Sequence, residues 1–178
     1  MVRLPSISIP LFAMASVISL PAAPVTIRAV LASARTGYAL DENVTLEAKL
    51  LNSTSESIII YGKLLWGYAG GFVLRIYDEA GLEVHADGYD DDLLIPSTLR
   101  EAANFVKLAP NHFLGVQRTD RASDLFGKPG AYRIRVQYRS PVPLKYKNQP
   151  DFWSTERGVI SSEFISIRIT PAEGRPKP

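Results

Sequence analysis

The sequence predicts an all-β protein, a sandwich of seven to eight antiparallel strands. Apolar residues recur at every second position in several short stretches, the periodicity of a strand with one face buried and one wet. Those stretches are separated by polar, Pro-bearing or Gly-bearing turns at the spacing of strands that fold back on one another. Helical periodicity is scarce throughout.

The elements follow in order. Val25, Ile27, Ala29 and Leu31 form a weak first strand. Val44, Leu46, Ala48 and Leu50 alternate with Thr45, Glu47 and Lys49. Asn52 to Ser57 is a polar turn, and the β-branched run Ile58-Ile59-Ile60-Tyr61 after it suits a short strand covered on both sides. Phe72, Leu74 and Ile76 mark another strand, closed by the tight turn Asp78-Glu79-Ala80-Gly81, with Gly81 at the position needing positive φ. Thr98 and Glu101 make a capping box for one or two helical turns over 96–103. A second single turn fits Asp124-Leu125-Phe126. The clearest strand is 131–139. Tyr132, Ile134, Val136 and Tyr138 lie on one face, and Arg133, Arg135, Gln137 and Arg139 on the other. Ile165, Ile167 and Ile169 end the pattern, and the Pro/Gly-rich tail 171–178 is expected to be mobile.

At 178 residues the chain suits one domain, here 24–170, large enough to bury its own core. Twenty basic against 18 acidic residues give a net charge of +2, without the basic stripe of a nucleic-acid binder. No apolar run reaches the ~20 residues of a membrane span. The first 23 residues carry one charge, Arg3, then the apolar run Ile9 to Leu20 and small residues after it. That pattern predicts a signal peptide cut between 19 and 23, hence a periplasmic or secreted protein. Its removal would leave a net charge of +1 and no membrane span. There are no cysteines, so an oxidising compartment would leave no disulfide signature.

The stretch Phe126-Gly127-Lys128-Pro129-Gly130-Ala131-Tyr132-Arg133-Ile134-Arg135-Val136 resembles the approach to strand F of immunoglobulin-like sandwiches. Three other stretches resemble bacterial exported immunoglobulin-like domains: Asn43 to Thr54, the hairpin Phe72 to Gly81, and Trp153 to Ile169. Proteinase-inhibitor-type sandwiches read similarly. The resemblance implies a Greek-key sandwich in which Tyr132, preceded by Pro129 and Gly130, is a structural corner residue whose hydroxyl bonds to backbone upstream. It carries no active site across.

Three segments hold candidate site residues. Asp87, Asp90, Asp91 and Asp92 form the densest acidic cluster, readable as a weak Ca²⁺ site or as a solvated loop. The segment 140–158 exceeds the ~12–15 residues usual for a structureless loop in a compact domain. It holds Tyr146, Lys147, Phe152 and Trp153, aromatics beside a cation that suit a contact surface, while the other reading has Phe152 and Trp153 cover the core edge, the reading preferred for Trp153. Trp66 and Tyr68 sit in a Gly-rich stretch, 66–71, that either admits a partner or connects strands. His85 and His112 are too few for zinc, and no nucleophile-elbow, zincin or phosphate-loop motif occurs. Asn43-Val44-Thr45 and Asn52-Ser53-Thr54 are formal glycosylation acceptors.

The expectation is an exported, non-catalytic binding module without cofactor, whose partner is a protein or glycan and not a nucleic acid. The alternative is a protease inhibitor acting through 66–71 and 140–158. A small hydrolase built from His85 and Asp90 to Asp92 is a third reading.

Overall fold

The computed structural model describes residues 27–62, 64, 66–67, 71–87, 104–139, 151–153 and 159–172. The predicted signal segment 1–23, the capping box at 98–101, and Tyr68, Asp90, Asp91, Asp92, Tyr146 and Lys147 lie outside the described residues. Among those described, the chain forms eleven strands and one short helix: β1 (Ile27–Ser33), β2 (Gly37–Ala39), β3 (Asn43–Asn52), β4 (Ile58–Tyr61), β5 (Phe72–Tyr77), β6 (Glu83–Ala86), β7 (Phe105–Leu108), β8 (Phe113–Arg121), α1 (Ala122–Phe126), β9 (Gly130–Tyr138), β10 (Ile160–Ser161) and β11 (Ile165–Thr170). Six of the strands have six residues or more, and the rest are short additions at edges and ends.

The architecture is an immunoglobulin-like β-sandwich. One sheet runs β1-β3-β8; the other runs β2-β11-β9-β5-β6, with β10 also pairing β9; β4 and β7 pair separately. All of these pairings are antiparallel except β2 on β11. The alternating residues seen in the sequence are the ones that meet between the layers. Val44, Leu46, Ala48 and Leu50 of β3 are fully buried, as are Ile134 and Val136 of β9 and Leu74 and Ile76 of β5. Ile27, Ala29 and Leu31, with Ile167 and Ile169, complete one contiguous cluster. The arginine-bearing side of β9 faces away from it, since Arg133 is exposed and Arg135 half-buried.

β8 gives no sequence signal because it buries no face: its residues alternate between half-buried and exposed along the free edge of its sheet. It is placed by pairing with β3, from Asn43↔Arg121 to Leu51↔Phe113. The β4–β7 ladder continues that pairing after both strands are interrupted, by 53–57 on one side and 109–112 on the other. Asn52 stitches the interruption. It is fully buried, and its amide NH₂ donates to the Glu56 and Leu108 carbonyls at 2.8 and 2.9 Å. Its carbonyl oxygen accepts from the Thr54 N–H and hydroxyl at 3.0 and 2.7 Å. A side chain so enclosed is not a glycosylation acceptor in the folded protein, whereas Asn43 is exposed at the start of β3.

At the opposite end α1 inserts Leu125 and Phe126 under the layers and stops at Gly127, whose φ of +70° favours glycine. Tyr132 packs its ring 4.8 Å from that of Phe126. Its hydroxyl faces two carbonyls, Lys128 at 2.8 Å and Phe126 at 3.2 Å, so the phenol holds the 126–130 corner shut.

Tyr132→Phe leaves those carbonyls without their donor and is expected to lower the unfolding free energy by about 1–3 kcal/mol in urea melts. Asn52→Ala removes the donor to the Leu108 carbonyl and the acceptor of the Thr54 N–H, while the Glu56 carbonyl keeps the Thr54 hydroxyl, and should cost more, about 3 kcal/mol or above. If Asn52→Ala cost less than Tyr132→Phe, the interruption would not depend on this side chain.

Candidate functional site

The free edges of the two sheets, β8 and β6, approach each other on one side of the sandwich, and a buried ion pair joins them. Arg118 extends from β8, and Asp87 follows directly on β6; their side chains are 17% and 9% exposed. One guanidinium nitrogen of Arg118, Nη1, donates to both Asp87 oxygens at 2.9 Å. Its Nε and Nη2 donate to the two oxygens of Asp120, two positions along the same strand. The Leu74 N–H donates to Asp87 Oδ2 at 2.9 Å, and His85 Nε2 lies 3.3 Å from Oδ1. All four lone-pair positions of the carboxylate are thereby engaged by protein. Asp87, a candidate Ca²⁺ ligand on its sequence context, clasps the two sheets, with both of its oxygens bonded to Arg118 and one each to His85 and the Leu74 N–H. Among the described residues there is no group of three His, Cys, Asp or Glu that could hold a metal ion.

Burial pushes the Asp87 carboxyl up, but the hydrogen bonds from His85, Arg118 and the Leu74 N–H outweigh it and hold the group below its ordinary 3.8. Burial likewise opposes the Arg118 charge, and the Asp120 and Asp87 hydrogen bonds reverse it, leaving the guanidinium above its ordinary value.

The Trp66 ring lies against the Arg118 guanidinium, 5.1 Å from centroid to carbon, and 5.9 Å from the Phe72 ring. Trp66 bridges to Phe72, and the Gly67 N–H donates to the Phe72 carbonyl at 2.9 Å. Trp66 is therefore half-buried and packed on the core, as the connector reading of 66–71 anticipates. Phe72 continues into an aromatic cluster. Its ring is 5.6 Å from Tyr138, whose hydroxyl donates to the Tyr61 carbonyl at 3.1 Å. Tyr61 packs on Phe105 at 5.8 Å, and Phe105 on Phe152 at 5.5 Å.

Phe152 and Trp153 do not stand free in a structureless loop. The Ile59 N–H donates to the Asp151 carbonyl at 2.7 Å and the Trp153 N–H to the Ile59 carbonyl at 2.9 Å, so 151–153 runs beside β4 like a further strand. Phe152 is only 8% exposed, which makes it part of the aromatic cluster rather than a projecting anchor. Trp153 is half-buried against the core.

The topology thus gathers the separate sequence candidates at one end. Trp66 and Gly67, the flanks Gly71 and Arg139 (joined by a backbone hydrogen bond of 3.0 Å), and Asp151 to Trp153 all lie where β5 begins and β9 ends. At this end the Trp66 indole Nε1 and the side-chain nitrogen of Asn104 are buried with no acceptor among the described residues. Asn104 is 3% exposed, and its carbonyl receives the Gly62 N–H at 2.8 Å. Asn104 and Arg118 escape a reading of the sequence alone, because neither sits in a motif and β8 lacks a buried face. A cleft of about 400 Å³ opens at the opposite end, beside β2. Its charged groups partly satisfy one another: Arg35 pairs with Glu42 at 3.0 Å and lies over the Tyr38 ring, while Glu42 also accepts the Ala39 N–H.

No family model matches the chain, and no curated protein matches it. Among solved structures it is similar to the CARDB domain of the PF1109 protein from Pyrococcus furiosus, at 11% identity over 82% of this chain and 93% of that one, with a TM-score of 0.38. It is similar to a PapD-like domain of human CEP192 at 12% identity over 93% and 100% of the two chains, TM-score 0.37. A β-glucosidase from Listeria innocua matches at 10% identity over 82% of this chain and 16% of that one, TM-score 0.37. Such likeness is one of general architecture, and the fold stands on the strand pairing itself.

Removing Arg118 strands the Asp87 charge where water scarcely reaches. Arg118→Met is expected to cost about 3–5 kcal/mol, and adding Asp87→Leu should restore much of that. The Asp87 carboxyl titrates lower in the folded chain than in the unfolded one. Its stabilisation is therefore complete above its ordinary value and disappears as pH falls through the lower folded value. Urea midpoints taken from about pH 6 down to about pH 2 should fall at the acid end, and Asp87→Asn should flatten that fall.

Proposed function

We propose that the chain is an exported, non-catalytic binding module that takes a protein or glycan partner at its aromatic end. The observation that carries the reading is the pair of buried N–H donors, Trp66 Nε1 and the Asn104 side-chain nitrogen, left without acceptors among the described residues beside a packed aromatic cluster. A buried donor without a partner costs about 1–3 kcal/mol, and folded proteins tolerate few of them. A ligand carbonyl or hydroxyl would recover that cost on binding. Aromatic surface next to such donors suits a peptide backbone or a sugar ring, since both combine apolar faces with acceptors. Tyr68, Tyr146 and Lys147, outside the described residues, belong to the proposal on their sequence context alone. Export is supported by the charge-poor apolar pattern of 1–23.

The inhibitor alternative needs tips that project into a protease cleft. Half-buried Trp66, tied to Phe72, and buried Phe152 favour recessed contact instead. The hydrolytic reading rests on Asp90 to Asp92, which lie outside the described residues, while Asp87, the described carboxylate beside His85, is spent on Arg118.

The test separates binding from folding. Peptide and glycan arrays are probed with the whole chain, then with Trp66→Phe and Asn104→Leu. Each substitution removes an unsatisfied donor, so melting temperature should hold or rise while retention of the selected ligand falls by about tenfold. Destabilised variants with unaltered retention would assign both residues to packing alone.

A further inference from the structure

The outer face of the six-stranded sheet holds a second feature, independent of the aromatic end. Arg133 and Arg135 of β9 both lie over the Phe164 ring, with guanidinium carbons 4.9 and 4.8 Å from its centroid. Arg135 also lies 5.6 Å from the Tyr77 ring, which meets Phe164 edge-on at 5.6 Å. Phe164 is 39% exposed, so the stack faces solvent. Among the described residues neither Arg133 nor Arg135 has a carboxylate within ion-pair distance. The nearby Glu83 is committed to Arg75 at 2.7 Å, which leaves the face with a surplus of positive charge.

Two local penalties fall at this spot. Arg75 stands directly opposite Arg135 in the β5–β9 register, and like charges in that position destabilise a sheet. The Arg135 Nε is buried without an acceptor, its only described hydrogen bond being a long one, 3.4 Å, from Nη2 to the Tyr77 hydroxyl. Stacking on two rings orients the guanidinium and leaves its outer edge for a planar acceptor. Places where a sequence breaks its own local rules tend to be places of function.

We propose that this face docks an acidic polypeptide segment, one side-chain carboxylate of which is held by Arg133 and Arg135 above Phe164. A carboxylate matches the guanidinium fork in shape as well as in charge, and arginine beside an aromatic ring is a composition favoured at protein interfaces. Two uncommitted guanidiniums on a chain of net charge +2 fall far short of the roughly six to ten phosphate contacts of a nucleic-acid binder.

The experiment titrates the whole chain with a fluorescent ten-residue oligoglutamate, with oligoglutamine, oligogalacturonate and oligothymidylate of like length as comparators. Oligoglutamate should bind best and weaken as salt is raised. Arg133→Gln and Arg135→Gln should each weaken it about tenfold, as expected for loss of a charge-assisted hydrogen-bonding partner. Arg168→Gln, which alters another exposed arginine of the same sheet, should leave it unchanged. Arg135→Gln also removes the like-charge pair, so its melting temperature should not fall. Absent binding, equal binding of oligoglutamine, equal loss in Arg168→Gln, or undiminished binding by both glutamine variants would overturn the proposal. Tighter binding of oligogalacturonate or oligothymidylate would overturn the polypeptide assignment.

Discussion

The union of Asp87 with Arg118 is the interaction on which the aromatic end of this molecule depends. A two-layer sandwich with open edges exposes backbone and core along its sides, and here one side is closed by a charge pair rather than by a further strand. The pair is affordable only because each partner is fully dressed: the carboxylate by Arg118, Leu74 and His85, the guanidinium by two carboxylates and the Trp66 face. Buried charges without such dressing neutralise or unfold a protein. Trp66 takes its position from the same clasp, so edge closure and the placement of a candidate contact residue are one event.

The remaining polar side chains of the interior do comparable work where the chain changes direction. Asn52 carries the β3–β8 pairing across its interruption into β4–β7, and Tyr132 binds the carbonyls of the turn before β9. Each sits where strand periodicity lapses and backbone groups lose their ladder partners. The apolar layers supply most of the driving force through burial, while these few side chains determine which loops can leave the layers and return.

The two candidate surfaces differ in kind. The aromatic end is recessed, with rings already packed and donors left over. The outer sheet face is open, with charge left over. One suits a neutral acceptor-rich ligand, the other an anion, and they are far enough apart in composition to be altered separately.

Alternation alone made β3, β9 and β11 legible, because a residue's face in a strand is set by its parity and burial demands apolar side chains on one parity. The Pro-Gly-x-Tyr approach to β9 and the turn at Gly81 were legible for the same local reason: backbone geometry there restricts the residue type. β8 was not, since a strand with no buried face leaves no parity signal and is defined only by its partner. Nor could sequence decide that Asp87 serves Arg118, 31 residues away, or that Phe152 lies in the core beside β4. Those outcomes depend on which distant groups the folded layers bring within a few ångströms, and no local rule encodes that distance.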